Sequence, residues 1–140
     1  MTAKFLDDLH PGEKFVTGGI TLTESEIIAF ALTYDPQPFH LNAVVAAESI
    51  YGGLIASGFQ VVSLTFRLFI QMGILTESSM GSPGIDELRW FAPARPGDTL
   101  HAEVEVMAVI PSKSKPDRGI VQGSAMHARP ERAPWHWRPT

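Results

Sequence analysis

The chain contains no cysteine. That excludes disulfides, thiol nucleophiles and thiolate metal ligands, and it fits a reducing compartment, so the cytoplasm is the expected location. A long basic run is missing too: 11 Lys and Arg stand against 15 Asp and Glu, for a net charge of −4. Neutralising phosphates needs clustered cations, so no nucleic acid partner is expected and a small molecule or another protein is left. The opening residues, Met1-Thr2-Ala3-Lys4-Phe5-Leu6-Asp7-Asp8, lack the apolar stretch of a signal peptide. The longest apolar-rich stretch, Gly58 to Leu75, is interrupted by Gln60, Ser63, Thr65, Arg67 and Gln71, which makes it a poor membrane span. No membrane partner is expected. His10, His101, His127 and His136 show no metal-ligand spacing, a His-Glu-x-x-His run is missing, and no metal is expected. No internal repeat is visible.

What is present is one domain's worth of chain, residues 1–140, with 44% hydrophobic and 19% charged residues, enough for a sizeable core. A turn at His10-Pro11-Gly12 precedes a short strand around Phe15 to Thr21, weakened by Gly18 and Gly19. Thr23-Glu24-Ser25-Glu26 is a capping box, and Ile27, Phe30, Ala31 and Tyr34 follow as one apolar stripe. The spacing predicts a helix that stops before Pro36. Asn42 can cap a short helical stretch through Ser49, and Gly52-Gly53 predicts a sharp reversal. From Ala56 to Met72 the residues are apolar nearly all round, which predicts a central helix buried on most sides. A glycine-rich loop, Gly73 to Gly84, leads to a strand predicted over Ile85 to Ala92. A second strand is predicted over Thr99 to Ile110, with Leu100, Ala102, Val104, Val106, Ala108 and Ile110 on one face. The connection Ser112 to Gly119 leads into another strand from Ile120. After Val121 strand periodicity is lost, and an irregular tail is expected over residues 128–140, with Pro130, Pro134 and Pro139.

The chemistry concentrates at Tyr34-Asp35-Pro36-Gln37-Pro38-Phe39-His40 and at Gly52-Gly53-Leu54-Ile55-Ala56-Ser57-Gly58. On a regular helix Asp35 and His40 would point about 140° apart, at roughly 100° per residue. The two prolines argue against that helix, since each removes an N–H donor and extends the residue before it. The expectation is an acid and an imidazole held on one rigid, irregular loop, suited to proton transfer. Ser57 reads as a helix N-cap, with substrate contact as the alternative. A Ser57-His40-Asp35 hydrolytic triad lacks the Gly-x-Ser-x-Gly elbow that would support it. Lys113, Lys115 and Arg118 read as a solvated hairpin tip.

On Asp35-x-x-Pro38-x-His40, on Ile55-Ala56-Ser57-Gly58 opening the hydrophobic helix, and on Glu87-Leu88-Arg89-Trp90 through Pro96-Gly97-Asp98, the chain resembles the MaoC-like dehydratase family, which includes (R)-specific enoyl-CoA hydratases. The resemblance covers roughly Phe15 to Val121. It implies an α+β hot-dog fold, an antiparallel sheet wrapped around a long central helix, and a homodimer or higher homo-oligomer. It further implies that Asp35 and His40 hold a water as the acid/base pair, and that the Gly58 N–H binds the oxygen of an acyl-CoA thioester. The expected reaction is hydration of 2-enoyl-CoA or dehydration of 3-hydroxyacyl-CoA, within fatty acid metabolism, with no cofactor beyond the coenzyme A of the substrate. A hot-dog acyl-CoA thioesterase and a non-catalytic acyl-CoA-binding module are the alternatives, and acyl carrier protein is an alternative to coenzyme A. The chain departs from the family's pattern at Gln37, often Asn; at Asn42, often acidic; and near Gln122, where the last strand is expected to break off.

Overall fold

The computed structural model describes residues 2–128. Its sheet is built on β3 (Thr99–Pro111), the strand with the clearest alternation in the sequence. Along one edge of β3 lie β1 (Lys14–Val16) and β2 (Ile20–Thr21); along the other lies β4 (Gly119–Ala128), all antiparallel. The strand expected over Phe15 to Thr21 is thus split at Gly18-Gly19. Thr17 spans the split, its N–H reaching the Ala102 carbonyl at 2.9 Å and its hydroxyl accepting from the Ala102 N–H at 2.8 Å.

The helices follow their caps. In α1 (Glu24–Tyr34) the Thr23 hydroxyl accepts from the Glu26 N–H at 3.2 Å. After α2 (Pro38–Leu41), α3 (Ala43–Glu48) begins where Asn42 Oδ1 accepts from the Val44 and Val45 N–H groups. Gly52, at φ +64°, makes the expected reversal, and α4 (Gly58–Gln71) crosses the sheet. Its first half joins a core of Leu22, Ile27, Ala56, Val61, Ala94 and Leu100. Farther along, Phe69 and Met72 pack on a second core of Leu9, Phe15, Ile74 and Val106.

Four expectations are corrected. The helix α4 is not buried on most sides: Phe59 is 59% and Phe66 64% exposed, and both line a large cavity instead of a core. Residues 85–92 form no strand; instead of extending the sheet they pack against α4, where the Trp90 ring meets Gly58 and Phe59. The face assigned to β3 holds only as far as Val106. A bulge at Met107 shifts the register between Val106 and Ala108, so that Val109 turns to the second core and Ile110 turns outward. Finally, β4 does not break off near Val121 but pairs with β3 as far as Ala128. Backbone pairing needs no side-chain periodicity, and Gly123, Ser124 and Ala125 are small enough to lie in it. The tail expected over 128–140 falls, beyond Ala128, outside the described residues.

Candidate active site

Asp35 is the C-cap of α1, its N–H bonded to the Ala31 carbonyl at 2.9 Å. His40 is not on an irregular loop, as the two prolines suggested. It sits in the single turn of α2, because Pro38 occupies the first helical position, where a missing N–H costs nothing and the fixed φ suits the helix. The turn swings the imidazole back toward the acid. His40 Nε2 lies 3.1 Å from Asp35 Oδ2, with His40 only 3% exposed and the Asp35 side chain 16% exposed.

The carboxylate is held from three sides. Ser57 Oγ donates to Oδ2 at 2.7 Å, and Gln37 Nε2 donates to Oδ1 at 2.7 Å. Burial pushes the Asp35 carboxyl up, but the bonds from Ser57 and Gln37 and the facing His40 together outweigh it and hold the group below its ordinary value. Asp35 is therefore ionised at neutral pH. On the far side of the ring, His40 Nδ1 lies 2.7 Å from the Ile55 carbonyl oxygen. A carbonyl only accepts, so Nδ1 carries a proton. Nε2 faces the carboxylate at 3.1 Å, within reach for a proton to pass between them.

Ser57 is fully buried and stands at the N-cap position of α4, as expected, but its hydroxyl makes no cap bond and is spent on Asp35. Nor is the order of contacts that of a hydrolytic triad, since the serine bonds to the acid and the imidazole bonds to Asp35 and Ile55. Gly58 opens α4, and among the described residues its N–H has no acceptor. The strap before it is fixed from both ends: Ile55 N–H reaches the Phe39 carbonyl at 3.2 Å and Ala56 N–H reaches the Ala94 carbonyl at 2.8 Å. Asp35, His40 and Gly58 all line one cavity of about 1040 Å³, which runs along α4 between the 82–93 segment and β4. The structure thus brings together all four residues singled out in the sequence. Gln37 and the Ile55 carbonyl join them unforeseen. For Gln37 the signal was an amide side chain two residues after the acid; for a backbone carbonyl there was none.

Lys113, Lys115 and Arg118 stay on the β3–β4 connection, away from that cavity. Among the described residues no cluster of three or more His, Cys, Asp or Glu side chains is placed to hold a metal, and no helix is long and apolar enough to cross a membrane.

A sheet laid against one long helix, with an acid and an imidazole at that helix's N-terminus, defines an α+β protein of the hot-dog fold. Residues 8–126 match the family model described as MaoC like domain, and the chain belongs to that family. Protein MaoC of Klebsiella aerogenes is 32% identical over 102 residues, 72% of this chain but 30% of that protein, so the chain spans under a third of that relative's length. The (R)-specific enoyl-CoA hydratase of Rhodospirillum rubrum is 30% identical over 115 residues, covering 78% of this chain and 74% of that one. The crystal structure of a MaoC-like dehydratase from Rhodospirillum rubrum superposes with a TM-score of 0.77 at 38% identity, over 91% of this chain and 87% of that one.

Proposed function

We propose that the protein adds water to 2-enoyl-CoA thioesters, or removes it from 3-hydroxyacyl-CoA. The observation that carries this reading is the Asp35–His40 contact of 3.1 Å, on the same cavity as the Gly58 N–H, which has no acceptor among the described residues. The name of the Rhodospirillum rubrum hydratase points the same way.

In hydration, the thioester oxygen accepts from Gly58 N–H, which stands at the positive end of α4. Ionised Asp35 takes a proton from water as the water oxygen bonds to C3. The C2–C3 π electrons move to C2 and the thioester oxygen, where the amide stabilises the enolate. The proton on His40 Nε2 then goes to C2. The proton held by Asp35 crosses to Nε2 and restores the pair. Dehydration is the reverse. Asp35, His40 and water carry every proton in these steps and the Gly58 amide binds the oxygen, so we propose no metal and no cofactor beyond the coenzyme A of the substrate. We also propose a homodimer as the working state, with Ile70 of α4, exposed and outside the cavity lining, as a candidate contact, to be checked by light scattering.

The test is the ultraviolet absorbance of the enoyl thioester when purified protein meets crotonyl-CoA and longer 2-enoyl-CoAs, beside a free-thiol assay. Loss of the enoyl band without thiol release, abolished in Asp35→Asn and His40→Ala, is the expected result. Thiol release would instead identify a thioesterase. Acyl-CoA binding with no turnover above an Asp35→Ala plus His40→Ala control would identify a binding module.

A further inference from the structure

We propose that the indole Nε1–H of Trp90 is a second hydrogen-bond donor to the thioester oxygen, beside the Gly58 amide; this rests on the hydratase reading above. Trp90 lies in the irregular 82–93 segment, yet its ring reaches the first residue of α4. A methyl group at Gly58 would overlap the indole, and Nε1 is among the three ring atoms nearest to it. In a helix the Cα–Cβ direction leans toward the N-terminus, the end to which the first-turn N–H groups also point. Nε1 and the Gly58 amide therefore stand side by side at the mouth of one helix.

Three further observations bear on this placement. Neither N–H has an acceptor among the described residues. The ring is oriented by an edge-on contact with Phe59, with centroids 5.5 Å apart and planes at 69°. Trp90 is also 49% exposed and lines the same cavity as Asp35 and His40, so a ligand can reach it. An indole N–H only donates, so it cannot compete with Asp35 as a base. An enolate oxygen has lone pairs for more than one donor, and a donor aimed at growing charge speeds the chemical step more than it tightens ground-state binding.

The experiment compares wild type, Trp90→Phe, which keeps an aromatic ring and removes the N–H, and Trp90→His, which keeps a ring N–H. The readouts are kcat and KM with crotonyl-CoA, and the infrared carbonyl band of crotonyl-CoA carrying ¹³C at the carbonyl, bound to each variant in an Asp35→Asn background that prevents turnover. The expected result for Trp90→Phe is a kcat lower by about 100-fold, with KM little changed. Its bound carbonyl band moves back toward the solution frequency, and Trp90→His recovers part of both effects. An unchanged kcat and an unchanged band in Trp90→Phe overturn the proposal and leave the hydratase reading standing. Equal losses in the Phe and His variants also overturn it, since they assign the effect to ring shape. If wild type leaves the enoyl band intact, the hydratase reading fails by itself. The carbonyl band then still decides, because a shift that needs the indole N–H supports the donor and its absence overturns it.

Discussion

The two walls of the cavity are built differently. On one side, Asp35, His40 and Ser57 are buried or nearly so, and each is fixed by hydrogen bonds of 3.1 Å or less. On the other side, residues 82–93 have no helix or strand, with Ile85 61% and Trp90 49% exposed. The first wall is rigid because its carboxylate, imidazole and hydroxyl are each bonded to a neighbour; in the second the Trp90 ring rests on Phe59 and Gly58, and Arg89 pairs with Glu87 of the same segment. Proton transfer needs fixed distances, whereas an acyl group needs a surface that adapts. The contrast separates proton transfer from substrate contact, and Trp90 is the point where the second wall meets the reacting oxygen.

Four substitutions would break or sharpen that contrast. Asp35→Asn is the most severe: it removes the base and should lower kcat by about 10³-fold in the enoyl absorbance assay. Ser57→Ala should follow, with activity reduced about 10-fold and stability by about 1–3 kcal/mol at pH 7, measured by urea unfolding. The pH dependence of that loss has a definite sign. The Asp35 carboxyl is lowered from 3.8 in the folded chain, so the stability it contributes is full above that value and disappears as pH falls through the folded pKa. The gap between wild type and Ser57→Ala should therefore narrow in acid, and the acid limb of the variant's activity profile should move to higher pH.

Gly58→Ala comes third. It keeps the amide but drives a methyl group into Trp90, and kcat/KM should fall a few-fold to about 10-fold. In a Trp90→Ala background the same change should cost less, a coupling that a double-mutant cycle measures directly. Ile85→Ser, on the adaptable wall, should be the mildest. Its stability should stay within about 0.5 kcal/mol of wild type, while KM for long-chain enoyl-CoAs rises more than KM for crotonyl-CoA.

Much of the rigid wall was legible because its signals are local. Thr23, Asn42, Pro36 and the glycine pair at Gly52-Gly53 each act within a few residues, and they set the ends of α1, α3 and the strap before α4. Pro38 was read with the right physics and the wrong outcome: it bars a helix from continuing through it but favours one that starts on it. The adaptable wall was misread because its state depends on distant neighbours. Ile85 to Ala92 has the composition of a strand, but whether such a segment joins a sheet or packs on a helix is decided by neighbours far along the chain, here Gly58 and Phe59 of α4. The bulge at Met107 was equally hidden, since an apolar run such as Val106-Met107-Ala108-Val109-Ile110 permits either face to turn inward. At Ser57 what escaped was the bond to the acid, because that partner is 22 positions away.

Ile55 contributes no side-chain chemistry, yet its backbone is tied to α2 on both sides of its Cα, N–H to Phe39 and C=O to His40. Two bonds to one short helix act as a hinge pin: the residue can move only if the imidazole moves with it. Isotope exchange at this single amide is therefore a gauge of how often the strap lifts away from α2. Any ligand that clamps the histidine should slow it, whether or not turnover follows.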